Sequence, residues 1–243
     1  MKYCIANWKM NLRVSESKLF LERLQKKNLE NTKTKIILCP SFTLLNDIKN
    51  NFLSNDIELG AQNVHQELKG AFTGEISIDM LKEIECEWVI LGHSERRQYF
   101  NEEDVILNDK LNTVLRSGLN PVLCIGQNLD QRNNHETFKV LKHQLDIALN
   151  NINTENKEMV IAYEPVWAIG SGETAKPDDI EDIHRQIVNE VRSFEKESFL
   201  GVFYGGSVDS SSSRQILSLK GVQGLLIGGA SLECEEFCNI VLT

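Results

Sequence analysis

"YCIANWKMN" (residues 3–11) joins a short apolar run to a polar turn that contains no glycine. The run reads as a buried β-strand, and the turn decides what kind of sheet it belongs to. A chain of alternating strands and helices either opens into a doubly wound sheet or closes into a (β/α)8 barrel. The open sheet usually carries a G-x-G-x-x-G turn after its first strand, where glycines let the backbone approach a dinucleotide. Asn7-Trp8-Lys9-Met10-Asn11 has none. A barrel instead puts its chemistry on the loops that follow the C-terminal ends of many strands.

Working outward, further strand candidates are "IILCP" (36–40), "IELGAQN" (57–63), "WVILG" (88–92), "PVLCIG" (121–126), "MVIAYE" (159–164), "LGVFY" (200–204) and "GLLIG" (224–228). With "YCIAN" (3–7) they make eight. Between them lie amphipathic stretches such as "ESKLFLERLQKK" (16–27) and "DDIEDIHRQIVNEVRSFEK" (178–196), the latter opened by Pro177 and Asp178. The strands are continuous apolar runs, as expected when both faces are covered by helices. The pattern predicts an α/β chain folded as one (β/α)8-barrel domain over 1–243, eight parallel strands ringed by helices. No linker or repeat interrupts it; "DSSSS" (209–213) reads as a turn and helix cap.

Composition narrows the function. The chain is 41% hydrophobic and 25% charged, the balance of a water-soluble globular protein. No apolar run reaches the ~20 residues that span a bilayer, and "MKYCIANWKM" lacks the pattern of a secretory signal, so a cytoplasmic protein is expected. A net charge of -9 argues against nucleic-acid or acidic-membrane partners. An anionic ligand must therefore be held by local donors. Six scattered cysteines read as buried reduced thiols. Cys234 and Cys238 lie one helical turn apart, but no histidine or second cysteine pair stands nearby to complete a metal site, so no metal or cofactor is expected.

Polar residues cluster after the strands. Asn7 and Lys9 follow the first, Gln62 and Asn63 the third, His93 and Glu95 the fourth, and Glu164 the sixth. Glycine pairs follow the seventh (Gly205, Gly206) and eighth (Gly228, Gly229). Loops after the last two strands of such barrels commonly bind phosphate through backbone N–H groups near a helix N-terminus. A phosphorylated small molecule is the ligand this arrangement suggests. In "VIAYEPVWAIGSGETAKP" (160–177) a buried strand ends in the carboxylate of Glu164, followed by a proline and a glycine-containing segment without period.

"NWKMN" (7–11), "GAFTGEIS" (70–77), "LGHSERRQYF" (91–100), "AYEPVWAIGSGETA" (162–175), "YGGSV" (204–208) and "GGASL" (228–232) closely resemble, in order and across nearly the whole chain, the strings of the triosephosphate isomerase family. That resemblance implies a glycolytic and gluconeogenic isomerase that interconverts dihydroxyacetone phosphate and D-glyceraldehyde 3-phosphate through an enediolate. It implies Glu164 as the base, His93 as a neutral electrophile, Lys9 as the cation between phosphate and oxyanion, and Glu95 as the partner of Lys9. Asn7, the Gly170 amide in the lid, Ser207 and the Gly228 and Gly229 amides would complete the pocket. If Ser94 and Glu95 open a helix, its positive end disfavours imidazolium at His93, which is expected to face Glu164 across the barrel. The apolar neighbours of Lys9, including Met10, suggest partial burial. A Schiff-base role for Lys9 is the rival chemistry, but no lysine appears in the strand-six segment where barrel aldolases carry theirs.

The long third loop, "QNVHQELKGAFTGEIS" (62–77), resembles the segment by which the family forms homodimers, with its tip near Thr73 beside the partner's active site. Gln127 and Gln223 depart from a pattern in which acidic residues are common, both expected at the barrel mouth, and Ser171 replaces the more frequent threonine. A barrel enzyme for another sugar phosphate and a non-catalytic phosphate-binding barrel remain as alternatives; the second would normally have lost its base or electrophile, and Glu164, His93 and Lys9 are all present.

Overall fold

The computed structural model describes residues 1–27, 29, 32–52, 57–152, 158–169, 174–193 and 199–243. Strands β1 (Lys2–Asn7), β2 (Thr34–Cys39), β3 (Ile57–Ala61), β4 (Trp88–Leu91), β5 (Asn120–Gln127), β6 (Met159–Pro165), β7 (Phe199–Tyr204) and β8 (Val222–Ile227) close a barrel in chain order. Every neighbouring pair is parallel, including β8 with β1. The eight-stranded α/β barrel expected from the sequence is therefore the fold.

Strand side chains alternate between two apolar layers, because successive residues point to opposite faces. Tyr3, Ile5, Ile37, Cys39, Trp88, Ile90, Val122, Cys124, Val160, Ala162, Phe203 and Leu226 pack together inside the barrel. The intervening residues, among them Cys4, Ala6, Leu38, Val89, Leu123 and Ile161, pack outward against the helices. Bulky rings occupy the N-terminal end of the interior, where Tyr3 lies against both Trp88 and Phe203. Truncating such a buried ring typically costs about 3–5 kcal/mol.

The same two-residue period explains why a buried strand ends in a carboxylate. Val160 and Ala162 face inward, so Glu164 is the next rung on that row, at the C-terminal mouth. The corresponding rungs on β1 and β5, and just beyond β7 and β8, are Asn7, Gly126, Gly205 and Gly228. Where lower layers are filled by Trp88 or Phe203, this one is left hollow by glycine.

Element limits differ from the sequence expectations in instructive ways. β3 stops at Ala61, two residues early, because Gln62 turns its carboxamide onto the carbonyls of Lys9 and Cys39, at 2.9 and 3.0 Å. The first helix runs over Val14–Gln25. The long amphipathic helix runs over Pro177–Ser193, and the last three residues expected for it lie outside the described residues. Gln223 is not at the mouth: it is the second residue of β8, exposed at the opposite end of the barrel. No helix among the described residues is long and apolar enough to cross a membrane.

Candidate active site

A cavity of about 210 Å³ opens at the C-terminal mouth and is lined by Asn7, Lys9, His93, Glu164, Ser207, Gly228 and Gly229. These are seven of the nine residues singled out in the sequence. Glu95 stands behind Lys9, and Gly170 and Ser171 lie outside the described residues.

Glu164 is only 2% exposed. Its carboxylate accepts hydrogen bonds from the Ser94 amide at 2.8 Å and the Ser94 hydroxyl at 3.4 Å, and stands 3.0 Å from His93 Nε2. Glycines make room for it. A Cβ on Gly205 would lie 3.1 Å from Glu164 Cγ, and one on Gly126, paired in register with Glu164, would come within 1.9 Å of its carbonyl oxygen.

His93 precedes the helix Ser94–Phe100 and caps it: the Glu95 amide donates to Nδ1 at 3.3 Å. That bond leaves Nδ1 as an acceptor and puts the ring proton of the neutral tautomer on Nε2, pointing at Glu164. Two expectations need correction. His93 does not face Glu164 across the mouth but touches it. Nor does the helix end alone set the imidazole's charge. Burial lowers its pKa, but the charge and hydrogen bond of Glu164 outweigh burial and raise it above the ordinary histidine value.

Lys9 adopts a left-handed backbone, φ 52°, costly for a residue with a Cβ. Both of its peptide groups are tied: its N–H donates to Asn7 Oδ1 at 3.1 Å, and its carbonyl accepts from Gln62. The ammonium meets Glu95 Oε1 at 2.6 Å with side chains 25% and 41% exposed, so the pair borders the cavity without being sealed from water. Met10 gives Lys9 no cover, being 96% exposed. Gly228 leaves space for the stem, since a Cβ there would lie 3.1 Å from Lys9 Cε.

At the other rim the Ser207 hydroxyl donates to the Ala168 carbonyl at 2.5 Å, joining the turn after β7 to the segment after β6. Gly229 opens a short 3-10 turn, Gly229–Leu232, whose first N–H groups have no acceptor within the turn. One end of the cavity thus offers a carboxylate and an imidazole N–H; the other offers amides, a hydroxyl and an ammonium. That set can move a proton between carbons and hold an anion.

The family model described as triosephosphate isomerase matches residues 2–243. The chain belongs to the triosephosphate isomerase family. It is 41% identical over 239 residues to the triosephosphate isomerase of Alkaliphilus oremlandii, covering 97% of this chain and 96% of that one. It is 40% identical over 239 residues to that of Aquifex aeolicus, with 97% and 96% covered. To that of Chlamydia caviae it is 40% identical over 247 residues, with 98% and 96% covered.

Three contributors to this family member's site had no role assigned from the sequence. Ser94 was read only as a helix opener, yet it is the main donor to Glu164. Gln62 was noted as polar but not as the tether of Lys9. Cys124, fully buried beneath Glu164, has its thiol pKa held well above the usual value by burial and then by the charge of Glu164. The inward parity of β5 was the available signal for Cys124 and Gly126. Gln127 is buried at the mouth and donates to the Tyr163 hydroxyl at 3.1 Å.

Proposed function

We propose that the chain interconverts dihydroxyacetone phosphate and D-glyceraldehyde 3-phosphate, acting as one barrel domain over 1–243 without a cofactor. The observation that carries this is the Glu164–His93 contact at 3.0 Å, at the bottom of a cavity whose rim bears Lys9 and the glycine turns.

Isomerisation removes a proton α to a carbonyl and returns it to the neighbouring carbon. Glu164 is assigned as the base that carries the proton. The Glu164 carboxylate is bonded to Ser94 and His93, so substrate oxygens must take over the His93 Nε2 proton for Glu164 to be released. Once they do, the hydrogen bond of Glu164 to His93 is lost, and its charge is lost too when the carboxylate takes up the substrate proton; burial and the Glu95 amide then favour the neutral ring, and Nε2–H donates to each enediolate oxygen in turn. Lys9, oriented by Glu95, supplies positive charge beside the same oxygens and the phosphate. Asn7 fixes the Lys9 amide. Ser207 and the Gly228 and Gly229 amides hold the phosphate dianion at the end far from Glu164, and the Gly170 amide is assigned to it from the segment after β6. Holding the phosphate rigidly and excluding water suppress elimination of phosphate from the enediolate.

A homodimer through loop 62–77 is part of this reading. Met10 (96% exposed), Tyr99 (67%), Phe100 (66%), Leu68 (49%) and Phe72 (45%) present apolar surface from loops one, three and four on the same end of the barrel. The tip near Thr73 would reach the partner's active site. A cytoplasmic, glycolytic setting accords with six unpaired buried cysteines.

The test is turnover of D-glyceraldehyde 3-phosphate by the purified chain in deuterated water. Rapid formation of dihydroxyacetone phosphate carrying solvent deuterium is expected, because a carboxylic acid exchanges its proton with solvent. Absence of turnover by a folded chain would remove the proposal.

A further inference from the structure

Two of the cysteines outside the barrel interior lie side by side. Cys234 and Cys238 sit one turn apart on the helix Cys234–Val241, both buried, with Sγ atoms 3.9 Å apart. Above them Lys27 Nζ bonds Glu235 Oε2 at 2.6 Å, a pair close to the surface. Between them in sequence stands Glu236, whose carboxylate accepts from the Ser210 amide at 2.6 Å and the Ser210 hydroxyl at 2.9 Å. Ser210 is three residues beyond Ser207. The helix that carries the thiol pair therefore also anchors the turn assigned to the substrate phosphate.

We propose that Cys234 and Cys238 form a reversible dithiol–disulfide site for small-molecule disulfides, and that closing it loosens the hold of Glu236 on the phosphate turn. The link to phosphate rests on the role given to Ser207 above.

Residues four apart in a helix have Cα atoms roughly 6 Å apart, inside the range that disulfides bridge. Their Cβ atoms, however, stand roughly 5–6 Å apart where a disulfide needs about 3.8 Å, and the sulfurs must close to about 2.05 Å. The first turn of the helix has to distort, and that turn carries Glu235 and Glu236. The chemistry balances with the small disulfide as oxidant. The Cys234 thiolate attacks one of its sulfurs, forming a mixed disulfide and releasing one thiolate. Cys238 then attacks the Cys234 sulfur and releases the second. Two thiols lose two electrons, the small disulfide gains them, and both protons end on the released thiols. Burial raises both thiols, Cys238 to about 12, so exchange awaits local opening of the helix and is slow.

The experiment incubates the whole protein with oxidised glutathione, maps disulfides by peptide mass spectrometry, and measures KM and kcat before and after dithiothreitol. Expected are loss of two hydrogens, a Cys234–Cys238 link, a several-fold rise in KM with kcat nearly unchanged, and full reversal. Cys238→Ser should stop at a glutathione adduct on Cys234. No link after prolonged incubation, a stable adduct on the wild type, or a link that leaves KM unchanged while Glu236→Ala raises it would each overturn the proposal. If Glu236→Ala also leaves KM unchanged, the assignment of Ser207 to phosphate is what fails, and the coupling fails with it.

Discussion

His93 Nε2 lies 3.0 Å from Glu164 Oε1, with side chains 7% and 2% exposed. Each group changes what the other can do. Burial lowers the His93 pKa and Glu164 more than offsets it, so the imidazole titrates above its ordinary value. A raised folded-state pKa gives stability that is complete below the ordinary imidazole value and is lost as pH rises through the raised one.

Replacing the carboxylate therefore lowers the His93 pKa. In Glu164→Gln, an NMR titration of the His93 ring should show it below the wild-type value, because burial is then opposed only by the smaller raising charge of Glu95. An unchanged or higher value would mean that Glu164 does not set the charge of His93.

His184 behaves in the opposite sense. It is fully buried, its Nδ1 lies 3.3 Å from the Gly221 carbonyl and its Nε2 has no hydrogen-bond partner among the described residues; burial lowers its pKa from 6.5 to about 4. Protons then bind the unfolded chain first, so stability falls as pH drops from about 6.5 to about 4 and levels off below. Urea unfolding should show wild type losing about 2 kcal/mol more than His184→Asn between pH 7 and pH 5. Equal losses would show that His184 is not the titrating group.

Gly126→Ala tests the hollow layer. Its Cβ would meet the Glu164 carbonyl at 1.9 Å, so β5 and β6 must separate where the base is attached. A loss of about 1–3 kcal/mol in stability is expected, with at least a tenfold fall in kcat from the displaced carboxylate. Gly229→Ala, where a Cβ meets nothing within 4 Å, is the control and should be far milder in stability.

The apolar surface around loop 62–77 predicts association. Sedimentation should show a dimer for the wild type, and Phe72→Asp with Thr73→Arg should give a monomer of much lower activity. A wild-type chain that is a fully active monomer at micromolar concentration would rule the dimer out.

The sequence made some of this legible and not the rest, for physical reasons. Strand period places Glu164 on the inward row, and a barrel puts that row's last rung at the mouth. Glu164, His93 and Lys9 were readable because each follows a strand within a motif. The Ser94 amide on Glu164 and the Gln62 carboxamide on the Lys9 carbonyl were not, because they join residues 70 and 53 positions apart through backbone groups that every residue carries. The direct contact of His93 with Glu164 was not legible either, because closure of the barrel is what brings the two side chains together. Gln223 was misplaced because its strand begins two residues earlier than the apolar run suggested.

The central claim is that Glu164 moves the proton. The most direct measurement is coupled turnover of D-glyceraldehyde 3-phosphate by wild type and Glu164→Asp, a change that keeps the carboxylate and retracts it by one methylene. Fast wild-type turnover with a fall of ~100-fold or more in the variant is expected, since a misplacement of about 1 Å costs that much. Equal, fast turnover in both would contradict the claim.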